Sequence, residues 1–501
     1  MADEASDART NIAAPSLLRS GALSLATSAA PLALALIALP LLTRQLGTER
    51  LGLLSLAWAW LGYAALLDFG LGRAITRLVA TSDAADDVDA PVAAFVATGA
   101  WLLAIVGAAV GLGGALLAPW YVSAVLRVSE SLRGDAVIAA VVFALTVPAI
   151  TGASVPRAVL EARQQFRTVN LVRLPVSVGT FGVPLVLLPF TMSLSVIAIT
   201  LAVLRLWAWW RYTTLARRCM PPARGDHAAW AHLRPLLRSS AWMTISNVLS
   251  PLMTVADRFV IGSLVSVSAV ALYAVPWEAV TKLWIVPGAL TMVLFPAIAR
   301  VASMDASRLS SLHAAGIRIV ALIVVPACGL TALFAPALLR FAGGAQYTGD
   351  SVTVLRILAI GLAANCIATV PFTLLQASGR ARWTAMLHLC ETVPFVLLLW
   401  YSVQRWGITG AAFAWTTRVV LDAGLLAWRA QSVAPLSASM LLTTAAGVVI
   451  VALAALMGAT TTIGSTPIIV AALTLVITPV VLWLWRGDSV RLVLGANGMR
   501  R

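Results

Sequence analysis

Seven ionisable residues lie in stretches of this chain that are otherwise almost wholly apolar. Asp257 and Arg258 are adjacent, Glu278 and Lys282 are four apart, Glu391 stands alone, and Arg418 and Asp422 are again four apart. Such groups are costly in hydrocarbon and usually face a water-filled cavity, a partner or an ion pathway. On a helix, an acid four residues before a lysine is the favourable order for a same-face ion pair. Adjacent residues point about 100° apart, so Asp257 and Arg258 cannot simply pair with each other. Lys282 is the only lysine, against 34 arginines. A compact ammonium can lose its proton when desolvated, whereas a guanidinium does not. The chemistry on offer is electrostatic. Arg258, Lys282 and Arg418 can hold an anionic headgroup in a hydrated lumen. Asp257, Glu278 and Glu391 can balance them or carry a coupling H+ or Na+. In the alternative reading, Glu278–Lys282 and Arg418–Asp422 are structural pairs that pin helices together. Four other groups are weaker candidates. Arg205 and Arg356 fall inside predicted helices. Asp68 sits at a helix end, where interfacial water solvates it. His388, three residues before Glu391, reads as a proton site or as a polar packing contact.

The elements that position these groups must be membrane helices. The 501 residues are 60% hydrophobic and 11% charged, far from the roughly 25% charged of soluble domains. Apolar runs of about 20 residues, enough to cross a hydrocarbon core, recur from Ser16 to Trp485. The expected fold is an all-α polytopic membrane protein of about 14 helices, near 17–43, 51–71, 91–117, 135–156, 171–190, 195–215, 238–263, 269–298, 313–337, 351–376, 384–401, 410–430, 438–458 and 467–486. An even count puts both termini on one side. About 24 of the 35 Lys and Arg residues then lie on that side, and about 6 lie opposite. Positive loops stay in the cytoplasm, which predicts cytoplasmic termini. The net charge of +15 is therefore a topology signal rather than a nucleic-acid surface. The cluster Arg217, Arg218, Arg224, Arg234 and Arg238 has binding of anionic lipid headgroups as a secondary use.

Several classes are excluded. The first apolar run is too long for a signal peptide and follows an acidic start. The four cysteines are scattered, without metal or disulfide spacing. No phosphate-binding loop is present, so no nucleotide is hydrolysed by that route. The longest exterior loop, about 118–134, is too short for a polymerase or ligase site. A transporter without cofactor is expected, not an enzyme.

The chain also repeats itself. Val155-Pro156-x-x-x-Leu160-x-Ala162 returns as Val370-Pro371-x-x-x-Leu375-x-Ala377, an offset of 215. Leu17-Leu18-Arg19-Ser20 returns as Leu236-Leu237-Arg238-Ser239, an offset of 219, and Ile75-Thr76-Arg77 pairs with Ile298-Ala299-Arg300. This predicts an N-terminal tail (1–15), a six-helix lobe (16–215), a basic linker (216–237), a second six-helix lobe (238–430), two further helices (431–486) and a C-terminal tail (487–501). Six is even, so the lobes are parallel repeats, an arrangement that supports alternating access. Prolines 276, 287 and 296, and 175, 184 and 189, kink or loosen their helices. Gly107-x-x-x-Gly111 reads as a close helix-packing seat.

The segment LPLLTRQLGTERLGLLSLAWAWLGYAALLDFGLGRAITRLVA resembles the opening of the Wzx-type polysaccharide flippases. These are the O-antigen and exopolysaccharide branch of the multidrug/oligosaccharidyl-lipid/polysaccharide exporter superfamily. The resemblance continues through Glu161-Ala162-Arg163-Gln164-Gln165-Phe166, Asn247, Pro251, Asp257-Arg258-Phe259-x-Ile261-Gly262, Tyr273, Pro276, Glu278 and Phe295-Pro296, and spans about residues 15–430. It implies flipping of an undecaprenyl-pyrophosphate-linked oligosaccharide to the outer leaflet of the bacterial inner membrane, without ATP. Its implied partners are the lipid-linked cargo, the bilayer, and the polysaccharide polymerase and chain-length machinery. The competing readings are a peptidoglycan-precursor flippase, a cation-coupled drug exporter of the same superfamily, and a polysaccharide polymerase.

Overall fold

The computed structural model describes residues 13–72, 75, 76, 78, 79, 90–219, 248–302, 304–344 and 346–460. The predicted helix at 467–486, most of the basic linker and the start of predicted helix 7 lie outside them. The described residues form helices and no β-strand. Away from water, a helix is the element that satisfies every backbone N–H and C=O within its own segment. Nine helical stretches among the described residues are long and apolar enough to cross a membrane. Leu116, Phe190, Val393 and Trp428 are 64–82% exposed, an apolar surface suited to lipid. The chain divides into two compact units, Met1–Val248 and Leu249–Arg501.

The first unit comprises α1 (Ala13–Ala64), α2 (Ala90–Trp120), α3 (Glu130–Leu145), α4 (Val147–Gly152), α5 (Ser154–Ala162), α6 (Phe166–Leu187) and α7 (Leu194–Arg217). A straight helix of 52 residues would be about 78 Å long, more than twice the hydrocarbon thickness. α1 is in fact two helices broken at Gly47, with φ 76° and ψ 169°. This is the turn expected between predicted helices 1 and 2. Predicted helix 135–156 is segmented into α3, α4 and α5. Pro148 enters the first turn of α4 and Pro156 that of α5; each lacks the N–H that would continue the ladder. Gly107 and Gly111 seat α2 on Pro148 and Thr151, and a Cβ at Gly107 would stand 2.2 Å from Thr151 Oγ1. Thr151 Oγ1 donates to the Leu103 carbonyl at 3.1 Å. The glycine pair is thus a packing seat inside the unit.

One carboxylate ties α3 to α7. Asp135 accepts from the backbone N–H of Leu194 at 2.6 Å, that of Ser195 at 3.0 Å, and the Ser193 hydroxyl at 2.8 Å. It caps the start of α7, where unpaired N–H groups and the helix dipole favour negative charge.

The second unit comprises α8 (248–264), α9 (Val267–Thr281), a 3-10 turn (Lys282–Trp284), α10 (Ile285–Val301), α11 (Ala306–Leu333), α12 (Ala335–Gly343), α13 (Asp350–Ala377), α14 (Ala381–Gln431) and α15 (Ala438–Thr460). Helix α13 is central and packs on α9, α10, α11, α14 and α15. Its many small residues allow close approach; a Cβ at Gly361 would lie 2.6 Å from Thr416 Oγ1 of α14. At 51 residues, α14 is too long to span once, and it breaks at Gly407 with φ 56° and ψ −134°. A left-handed φ there suits glycine, which has no Cβ to clash.

Predicted helix 269–298 is divided by its prolines. Pro276 cannot bond the Leu272 carbonyl four residues back. That oxygen instead accepts from Ser351 Oγ of α13 at 3.0 Å. Pro287 likewise leaves the Leu283 carbonyl without its helical donor, and Leu283 sits in the 3-10 turn. Lys282 therefore stands at the start of a tightened turn rather than in mid-helix.

The two copies of the Val-Pro-x-x-x-Leu-x-Ala motif end in the same cap. Gln165 N–H reaches the Leu160 carbonyl at 2.9 Å and Gln164 N–H the Glu161 carbonyl at 3.0 Å. In the second unit Arg380 N–H reaches Leu375 at 2.8 Å and Gly379 N–H reaches Gln376 at 3.1 Å. Both are Schellman caps, with a left-handed residue at Gln164 (φ 55°) and at Gly379 (φ 76°).

Candidate functional site: two buried charge clusters in the second unit

The first cluster joins α8 to α9. Asp257 is fully buried. Its Oδ1 accepts from the Arg258 backbone N–H at 2.7 Å, and its Oδ2 accepts from the Tyr273 hydroxyl. The Arg258 guanidinium reaches across to α9. Its Nη2 lies 3.2 Å from Glu278 Oε1, while Lys282 Nζ lies 2.6 Å from Glu278 Oε2. One carboxylate therefore divides its two oxygens between two cations. The Arg258, Glu278 and Lys282 side chains are 6, 17 and 24% exposed, so the lysine is the member that most nearly reaches the surface. The trio carries one net positive charge, balanced by Asp257.

An adjoining face of α9 is fixed by aromatic packing. Trp277 stacks on Tyr273 at 6.1 Å and meets Trp284 and Trp415 edge-on at 5.9 and 4.9 Å. Trp284 Nε1 donates to Asn365 Oδ1 of α13 at 3.0 Å. Glu278, and Lys282 directly after α9, are therefore positioned by a rigid element, as pre-organised recognition requires.

The second cluster lies on both arms of α14. Arg418 Nη1 is 4.0 Å from Glu391 Oε2, an ion pair without a hydrogen bond. The guanidinium carbon is 5.5 Å from the Phe395 ring centre, a cation–π distance. Nη1 also approaches Met253 Sδ of α8 at 3.4 Å. Asp422, one turn beyond Arg418, faces Glu391. Both Glu391 oxygens, Asp422 Oδ1 and Arg418 Nε are buried without a hydrogen-bond partner among the described residues. The four-residue spacing pointed to an Arg418–Asp422 pair, but the acid within ion-pair range of Arg418 is Glu391. Met253 lies one helical turn before Asp257, so α8 touches both clusters.

The remaining candidates lie elsewhere. Arg356 donates from Nε to the Ala332 carbonyl at 3.3 Å and from Nη2 to that of Gly458. It places a cation at the C-terminal ends of α11 and α15, where the dipole favours one. The His388 ring stacks on Phe372 at 5.8 Å. Asp68 accepts from the Gly70 N–H at 3.0 Å in a turn, and Arg205 belongs to α7 in the first unit. Among the described residues no group of three His, Cys, Asp or Glu side chains is placed to hold a metal ion. Two participants were missed as members of these clusters by spacing alone. Tyr273 and Met253 are separated in sequence from the groups they touch.

The family described as "Polysaccharide biosynthesis protein" matches residues 18–302, more than half of the chain. A Shigella flexneri protein named as a candidate O-antigen transporter is 28% identical over 421 residues, covering 82% of this chain and 97% of that protein. Two solved structures share the fold. The lipid II flippase MurJ in an inward closed conformation matches with TM-score 0.68 and 12% identity, over 93% of this chain and 98% of its own. An inward-facing multidrug resistance MATE family transporter of the MOP superfamily matches with TM-score 0.64 and 18% identity, over 80% and 95%. The chain therefore belongs to the polysaccharide biosynthesis protein family, as a multi-pass membrane transporter of MOP-superfamily fold and not an enzyme.

Proposed function

We propose that this protein flips undecaprenyl-pyrophosphate-linked oligosaccharide repeat units from the cytoplasmic to the outer leaflet of the bacterial inner membrane, for surface polysaccharide biosynthesis. Two parallel lobes, 16–215 and 238–430, would alternate access around a midplane cargo site, with both termini in the cytoplasm. The matching Schellman caps and the charge bias of the loops support that arrangement. The observation that carries the reading is the Arg258–Glu278–Lys282 trio.

A pyrophosphate cannot cross hydrocarbon unaided, and a cationic lining lowers that cost. Glu278 and Asp257 together keep the two cations neutralised until the anion arrives. Lys282 is the least buried of the three and meets Glu278 as a compact point charge, so it can exchange carboxylate for phosphate. Arg258, nearly buried, keeps its grip on Glu278. Arg418 is a third cation for phosphate or acidic sugar. The polysaccharide polymerase and chain-length machinery are the partners that would receive the cargo.

The test is a strain lacking this protein, with lipid-linked oligosaccharide quantified and its leaflet assigned by an impermeant glycan probe. Complete repeat units trapped in the inner leaflet, with surface polysaccharide lost, are expected. Unpolymerised units in the outer leaflet would indicate a polymerase instead. Lysis with trapped peptidoglycan precursor would assign that cargo. No change in either lipid would turn the reading to drug export.

A further inference from the structure

Resting on the flippase reading, we infer that Glu391 and Asp422 hold one exchangeable proton between them, and that this proton, not Na+, is the coupling ion. Arg418 is the internal counter-charge that the proton competes with. Two carboxyl groups and one guanidinium are gathered here, with Glu391 and Arg418 side chains only 12 and 5% exposed and Asp422 5% exposed. With both acids ionised the cluster holds a surplus negative charge in a low-dielectric setting, which is costly. One proton removes it.

The geometry leaves room for that proton. Both Glu391 oxygens and Asp422 Oδ1 are buried with no donor among the described residues. A buried acceptor without a donor carries its full desolvation cost. A carboxylic acid donating to the facing carboxylate would satisfy one oxygen of each group at once.

The surroundings favour H+ over Na+. A hard cation needs a shell of oxygen ligands. Among the described residues, Arg418 rests on the Met253 sulfur and the Phe395 ring, the Thr392 hydroxyl against that sulfur is committed to the His388 carbonyl at 2.7 Å, and a guanidinium already faces the acids. Among the described residues, the other charged groups of the packed elements are engaged or lie at the surface. Asp257 is held by Tyr273 and the Arg258 N–H, and Arg258, Glu278 and Lys282 hold one another. On α13, Asp350 is exposed at the helix start and Arg356 reaches the Ala332 and Gly458 carbonyls. His388 of α14 stacks on Phe372. Arg418 is thus the cation that senses the protonation state of the pair. It rests on Met253, one turn from Asp257 and Arg258, which gives a route from the proton to the cargo cations.

The test uses the purified full chain and needs no cargo. Infrared difference spectra across pH are recorded for wild type, Glu391→Gln and Asp422→Asn, in Na+ and in K+. The expected result is a carboxylic-acid C=O band that appears with acid, is absent from both variants, and is the same in either salt. Both variants should keep the wild-type melting profile. In cells, the same variants should lower delivery of repeat units to the outer leaflet by about ten-fold or more. A missing band, a band kept by both variants, a Na+-dependent band, or variants that deliver cargo at the wild-type rate would each overturn the inference. If the band behaves as expected but loss of the whole protein traps no lipid-linked oligosaccharide, the flippase reading fails, and with it the coupling role of a proton site that the spectra still define.

Discussion

At the positions 219 residues before Asp257, Arg258, Glu278 and Lys282, the first unit carries Ala38, Leu39, Ala59 and Tyr63. Ala38, Leu39 and Ala59 are 0, 7 and 3% exposed. The first unit thus fills with uncharged side chains the places where the second carries four charges. Shifting Glu391, Arg418 and Asp422 back by 215 gives Val176, Val203 and Trp207, again apolar. The turns, by contrast, are shared. The break at Gly47 corresponds to the Ser266 boundary between α8 and α9, and both repeat motifs end in Schellman caps. A helical scaffold of this kind therefore does not need the charges in order to fold, because one half manages without them. That points to the charges as machinery rather than mortar.

The largest effects should come from testing this directly. Glu278→Gln leaves Arg258 and Lys282 without their shared counter-charge, and removing one partner of a buried pair costs about 3–5 kcal/mol. A marked fall in the denaturation midpoint and loss of surface polysaccharide are expected. Carrying the first unit's residues across at all four positions, as the quadruple variant Asp257→Ala, Arg258→Leu, Glu278→Ala and Lys282→Tyr, removes all the charges together. Replacing a buried ionic group by apolar side chains is often neutral or stabilising, so the midpoint should return to the wild-type range. Flipping should remain lost. If the quadruple variant flips normally, the charges are structural and the contrast between the units has no functional meaning.

What the sequence made legible follows from the range of the interaction. The Glu278–Lys282 contact is visible because four residues bring side chains onto one helix face. The breaks in α1 and α14 are visible because an apolar stretch of about 50 residues exceeds any bilayer. Arg258–Glu278 joins two helices across 20 residues, and Arg418–Met253 across 165; no periodicity encodes either. For Arg418 the spacing showed only one of its two acids. Spacing placed Asp422 beside it, and that charge does act on the guanidinium, while tertiary packing added Glu391 from the other arm of α14. Arg356 read as an interior charge because its partners are backbone carbonyls, which carry no signature in a sequence.

A second pair of positions should give a smaller contrast. Asp135 and Asp350 are equivalent under the 215-residue offset and both sit near the start of a helix. Asp135 accepts from two backbone N–H groups and a hydroxyl, whereas Asp350 is exposed. Charge-assisted bonds to a helix N-terminus are the stronger kind. Asp135→Asn should lower stability by about 1–2 kcal/mol, while Asp350→Asn should stay within about 0.5 kcal/mol of wild type. Chemical denaturation of the purified protein reads both. Equal losses would mean that the cap at α7 contributes no more than any surface carboxylate.

The smallest effect concerns the two Schellman caps, which differ at one residue. The left-handed position is Gln164 in the first unit and Gly379 in the second, with φ of 55° and 76°. A side chain in that conformation brings Cβ toward the following carbonyl and costs about 1–2 kcal/mol. Glycine avoids this but loses more backbone entropy on folding, about 0.5–1 kcal/mol. The net change for Gln164→Gly should therefore be a gain of about 0.5–1 kcal/mol, and Gly379→Gln should lose a similar amount. Neither residue belongs to a charge cluster, so flipping should be unchanged in both. The swap of the two residues, made together, should leave the midpoint close to wild type, because sites far apart and without shared partners add. A destabilised Gln164→Gly variant would mean that the glutamine side chain itself holds the cap. In that case the two halves end their common motif by different means, and the local equivalence of the repeat fails at the one place where both hydrogen bonds are conserved.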